Sequence, residues 1–145
     1  MKRGLIAAGL LVASVTIVAA KEQAEMINHS LDELRRLVPV AGAPADVVWQ
    51  RNVLGSAGGG FPPGPTDEML WVVLSYDSAE EVQQLVSGGL TEDVVIEAPD
   101  WFPENLHPGA GLDVVRHHRV EGFMDAEVMT VPGQPQILLL KKPLF

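Results

Sequence analysis

Glu68-Met69-Leu70-Trp71-Val72-Val73-Leu74-Ser75-Tyr76 (EMLWVVLSY) is the stretch on which the fold turns. Its unbroken apolar run from Met69 to Leu74 is too short for a buried helix and is rich in valine with one tryptophan, so it reads as a strand. Near-continuous rather than alternating apolarity expects both faces covered and a central place in a sheet. Immediately before it lies Gly55 to Asp67 (GSAGGGFPPGPTD), whose glycines and prolines cannot hold regular structure. Asp46–Leu54 (DVVWQRNVL), on the far side of that loop, reads as a second strand.

Downstream of Tyr76, Ser78-Ala79-Glu80-Glu81 fits a capping box that opens a helix through Val86 or Ser87, with Val82, Leu85 and Val86 facing inward and Gly88-Gly89 as the stop. Val94–Ile96 is a short strand, Pro99–Leu106 a short helix, and Leu112–Glu121 another strand. Ala126–Val131 and Gln136–Lys141 flank Pro132-Gly133-Gln134-Pro135, a turn signal that predicts a hairpin. Closely spaced strands imply antiparallel pairing. The expected fold class is α+β: a small antiparallel-sheet domain over residues 39–145 with one or two short helices.

Ahead of that domain, Gly4 to Ala20 (GLIAAGLLVASVTIVAA) is an uncharged run behind Lys2-Arg3. It suits a signal peptide cut at Ala20, with Val18-Ala19-Ala20 at the cut, and it also reaches the lower length limit of a transmembrane helix. From Ala24 the apolar residues Ala24, Ile27, Leu31, Leu34 and Val38 fall at heptad a/d spacing, and no glycine or proline interrupts Gly9 to Pro39. That stripe favours a retained signal-anchor continuing as one amphipathic helix to Val38, with residues 4–20 in the membrane. Ser30 followed by Glu33 offers an alternative, a fresh helix start inside the same segment. Lys2-Arg3 on the cytoplasmic side would then place the rest of the chain outside; cleavage would release it as a secreted or periplasmic domain.

The layout of basic leader, apolar helix, amphipathic continuation and β-rich domain resembles that of type IV pilin-like proteins. The resemblance covers the N-terminal quarter and implies a leader cut after Gly4. The glutamate that family carries at the fifth mature position falls at Gly9, so the chain departs from the pattern there.

Composition narrows the function. The net charge of −9 comes from 10 Lys and Arg against 19 Asp and Glu, which argues against nucleic acid as a partner because that affinity comes from phosphate neutralisation. The chain has no cysteine, which excludes disulfides, thiolate metal sites and a lipid-acylated cysteine. Pro39 closes the amphipathic segment, and Val40-Ala41-Gly42-Ala43-Pro44 reads as a hinge.

Three groups could carry a site. Arg116-His117-His118-Arg119 draws attention first, but neighbours on a strand point to opposite faces. Arg116 and His118 therefore share one face, and His117 and His118 cannot easily share a metal. Pairing of this basic strand with the chain's carboxylates is the simpler reading. Phe61, in the Gly/Pro loop, is a second candidate contact, against the plainer reading of a flexible connection. Trp101 and Phe102 form a third, either a partner-binding patch or a cap on the core, with core preferred for at least one of them. Phe61, Trp101, Phe102, Arg116 and His118 are thus the candidate ligand- or partner-contact residues. No catalytic residues, metal ligands or cofactors are implied, and the serines lie in no GxSxG setting.

The expected role is a membrane-tethered extracytoplasmic interaction, accessory or structural component of the cell envelope. Its partner is another protein, met through the stripe Ala24, Ile27, Leu31, Leu34 and Val38. The alternative is a small secreted enzyme or ligand-binding domain using His107, Asp113, His117 and His118, which requires those side chains to converge.

Overall fold

The computed structural model describes residues 26–53, 68–123 and 125–144. The apolar run 4–20, Ala24 and the loop carrying Phe61 lie outside these residues. No helix among the described residues is long and apolar enough to cross a membrane.

Among the described residues a six-stranded antiparallel sheet dominates, with two α-helices, so the fold is mostly β. Strands β1 (Asp46–Val53) and β2 (Glu68–Ser75) pair over their full length, from Asp46↔Ser75 to Val53↔Glu68. Strands β3 (Thr91–Glu97) and β4 (Gly111–His117) form a second hairpin at the opposite side of the sheet. Strands β5 (Glu127–Val131) and β6 (Gln134–Leu144) then enter between these hairpins, β5 against β4 and β6 against β2. The spatial order is β1-β2-β6-β5-β4-β3, so the last hairpin of the chain joins the earlier two into one sheet.

The run Met69–Leu74 is explained by burial on both faces. Leu70, Val72 and Leu74 enter one core with Leu34, Val38, Val82, Val86 and Phe123. Trp71 and Val73 enter another with Phe102, Leu106, Leu112, Val114, Met129 and Leu139. The sheet is thus the middle of three layers. The strand is internal but one place from the edge, and β6 and β5 hold the centre.

The first core is covered by α1 (Leu31–Leu34), α2 (Ala79–Val86) and the loop carrying Phe123. Ser78 caps α2 as its sequence demands: its extended backbone turns the Oγ to accept a 3.2 Å bond from the Glu81 amide. The amphipathic helix expected to run unbroken to Val38 differs. Helix α1 begins only after Ser30, whose Oγ accepts from the Glu33 amide at 3.2 Å, which is the fresh start. Before it the chain is extended, because Asn28 and Trp49 exchange two backbone hydrogen bonds of 2.8 and 2.9 Å. Two ladder bonds, together with a 3.0 Å bond from the Trp49 indole to the Ser30 carbonyl, hold this stretch extended, and a short helical segment is marginal by itself.

Three further elements depart from expectation. The Pro99–Leu106 helix contracts to a 3-10 turn, Glu104–Leu106, stopped by His107 in the left-handed region at φ 53°. Strand β4 stops at His117 instead of Glu121, with Arg119 left-handed at φ 59°. The β5–β6 turn needs only Pro132-Gly133, with Gln134 and Pro135 already in β6. The presumed hinge at 40–44 is pinned: Tyr76 Oη donates to Ala41 O at 2.8 Å, and the Ala43 amide donates to Glu81 at 3.3 Å. Burial, then the nearby Glu81 charge, drives the Tyr76 pKa upward, so this phenol stays a donor.

Candidate functional site

Strand alternation sorts the side chains of β4. Leu112 and Val114 enter the second core, and Arg116 continues along the same face at its open end. There Arg116 Nη1 donates to Glu92 Oε2 at 3.2 Å, and its Nε lies 2.5 Å from Glu127 Oε1 as an ion-pair contact without hydrogen-bond geometry. His118 Nε2 stands 3.5 Å from the same Glu92 oxygen. Arg116 and His118 do share a surface, and carboxylates from β3 and β5 occupy it. Two acids around one arginine leave little unbalanced positive charge to recruit an anionic ligand.

His117 turns to the other face, where its Nε2 shares a 2.8 Å hydrogen bond with Thr130 Oγ1. Burial, then the neighbouring His118 charge, lowers its pKa below the ordinary histidine value. His107 is exposed in the loop that covers the second core. Asp113 is exposed and lies four residues before His117 on β4, about 13 Å along the strand. His107, Asp113, His117 and His118 therefore do not converge. Among the described residues no three His, Asp or Glu side chains lie close enough together to hold a metal ion.

Trp101 and Phe102 stack edge-to-face at 4.9 Å, and Phe102 repeats that geometry with Trp71 at 5.8 Å. Lys141 Nζ lies 5.1 Å over the Trp71 ring. Phe102 is only 3% exposed, so it belongs to the core, whereas Trp101 is half-buried at its margin. Phe61 lies outside the described residues.

Two concave regions stand out among the described residues. One, of about 440 Å³, is lined by Arg36, Arg51 and Lys142 with Glu68. Its charge is only partly balanced: Arg51 Nη2 sits 2.6 Å from Glu68 Oε2, while Lys142 Nζ donates to the uncharged Leu37 carbonyl at 3.4 Å. The other, of about 420 Å³, runs along the β3–β4 hairpin between Asp93, Val95, Asp113 and Pro132. It adjoins the feature that sequence reading missed. Among the described residues the large exposed apolar side chains fall in two pairs, one at each edge of the sheet: Met26 and Ile27 (53% and 44% exposed) beside β1, and Leu90 and Val95 (78% and 68%) in and beside β3. The signal available was Leu90-Thr91-Glu92-Asp93-Val94-Val95-Ile96-Glu97, in which acids share a strand with β-branched residues. Leu31, Leu34 and Val38 of the heptad stripe pack on the domain's own core, which leaves Ile27 as the exposed described member.

Compared with known proteins, the chain matches no family model, no curated protein and no solved structure.

Proposed function

We propose that this chain is a protein-interaction domain of the cell envelope, held at the membrane by residues 4–20 and serving as an accessory or structural component of an assembly. The observation that carries this reading is the placement, among the described residues, of the exposed large apolar side chains at the two sheet edges, while His107, Asp113, His117 and His118 do not converge. Solvent-exposed apolar side chains at the edges of a sheet are suited to contact another protein. The acidity of the chain supports a partner other than nucleic acid or an anionic membrane surface.

The test is membrane fractionation of the full-length chain in its host, with intact-mass determination and a photo-crosslinking residue placed in turn at Ile27, Leu90 and Glu80. The expected result is a membrane-bound chain that retains residues 1–20 and gives discrete adducts from Ile27 or Leu90 but not from Glu80 on exposed α2. A soluble species beginning at Lys21 removes the tether. Absence of any discrete adduct at both edges removes the interaction role.

A further inference from the structure

The two edges of the sheet are not equivalent. At β1 the segment Met26–Ser30 already lies alongside, bonded at Trp49. At β3, partners exist on the β4 side alone among the described residues. The amide of His118 donates to Leu90 O at 2.9 Å, and that of Ala98 to Ala110 O at 3.0 Å. In an antiparallel ladder this directs Leu90, Glu92, Val94, Ile96 and Ala98 toward β4. The N–H and C=O groups of Thr91, Asp93, Val95 and Glu97 therefore point away from the sheet, a template of alternate residues spaced about 6.8 Å apart.

We infer that this outer edge of β3 docks an extended segment of a partner protein as a seventh strand, and that the segment carries cationic side chains around an apolar one. The inference rests on the interaction role proposed above and names its mode and its chemistry. Asp93 and Glu97 flank Val95 on its own face of the strand, Asp113 lies across from it on β4, and none of the three makes an ion pair among the described residues. An apolar side chain over Val95 with lysine or arginine to either side matches that surface, and an added strand lies about 4.8 Å from Asp93. A second copy of this chain does not fit. Pairing β3 with itself aligns Glu92, Asp93 and Glu97 of each copy along one seam, and like charges at that spacing repel. The acids also guard the edge against neutral strands, since β3 has neither proline nor bulge to do so. One set of charges thus discourages indiscriminate pairing and selects a cationic strand.

The test uses the full-length chain in detergent and two synthetic ten-residue peptides: one places lysine, valine and lysine at successive alternate positions, so that all three share a face, with threonine between them, and the other replaces those lysines with glutamate. Hydrogen exchange of the backbone amides is read with each peptide. The expected result is slowed exchange at Thr91, Asp93, Val95 and Glu97 with the lysine peptide, weakened by salt, and binding of the glutamate peptide at least about ten-fold weaker. Val95→Pro removes one outward N–H without touching the β4 ladder, a substitution edge strands tolerate, and it should abolish docking at unchanged circular dichroism. If that variant loses its fold, Asp93→Asn with Asp113→Asn takes its place and should weaken the lysine peptide about ten-fold. Equal binding by the charge-altered variant, protection elsewhere on the sheet, or dimerisation through β3 each overturns the inference. Loss of peptide docking with the Leu90 crosslink intact refutes strand addition alone, whereas loss of every crosslink refutes the interaction role itself.

Discussion

Replacing Phe123 by alanine tests how the first core is closed. Phe123 is fully buried although it comes from the loop between β4 and β5, where it joins Leu34, Val38, Val82 and Val128 beneath the sheet. Its loop is held close by Gly122 at φ 91°, where an added Cβ would lie 2.7 Å from the Ala41 Cβ, and by the Ala126 amide bonded to Phe123 O at 3.1 Å. Its neighbours come from the sheet and from both helices, so filling the gap would require several elements to shift together. Truncation of a buried phenylalanine costs about 3–5 kcal/mol. At roughly 4–8 °C per kcal/mol for a domain near this size, Tm falls by roughly 12–40 °C. The loss is comparable with a typical whole-domain stability of about 5–15 kcal/mol. Urea titration followed by fluorescence of the buried Trp49 and Trp71 measures it, with Phe123→Leu as a graded control that loses less. A loss below about 1 kcal/mol would refute the reasoning, since Phe123 would then not be the plug of this layer.

Ser78→Ala should cost about 0.5–2 kcal/mol by freeing the Glu81 amide, read as a lower urea midpoint at unchanged slope. Gly89→Ala should destabilise by about 1–3 kcal/mol, because the new Cβ falls 2.3 Å from the backbone oxygen of His118, which cannot swing away. Gly88→Ala meets nothing within 4 Å and should cost only the strain of its positive φ, about 1–2 kcal/mol, so thermal melts of the pair separate steric from conformational causes. His117 binds its proton less readily folded than unfolded, so the stability linked to it is complete above the unfolded pKa of ~6.5 and declines as pH falls below that value. His117→Gln removes the titrating group, and Tm measured from about pH 7.5 down to 5 should lose that component of its slope.

How much of this was legible depends on where the controlling contact lies. EMLWVVLSY announced a doubly covered strand because both of its faces are apolar in the sequence itself. The Ser78 cap was equally legible, since donor and acceptor lie three residues apart. The stripe Ile27–Val38 misled over its first part because the choice there is made by Trp49, some twenty residues away, whose backbone straightens Asn28. Phe123 was invisible for a similar reason: a single loop aromatic carries no period. Opposite facing of His117 and His118 followed from strand alternation, and so did the shared surface of Arg116 and His118. That Glu92 and Glu127 would occupy that surface required register, which single strands do not encode. The open β3 edge escaped notice because strand order, not any one strand, decides which edge is left bare.

The bridge between Asn28 and Trp49 also determines how the domain bears a load. Tension drawn through the N-terminal segment enters the sheet at Trp49, across two backbone bonds and the indole bond to Ser30. Beneath that point β1 is secured to β2 by an eight-pair ladder. The short bonded stretch gives way before the long one, so Met26–Ser30 peels off as a mechanical fuse while all six strands stay together. An early pull at Met26 lengthens the chain ahead of α1 and leaves the sheet folded.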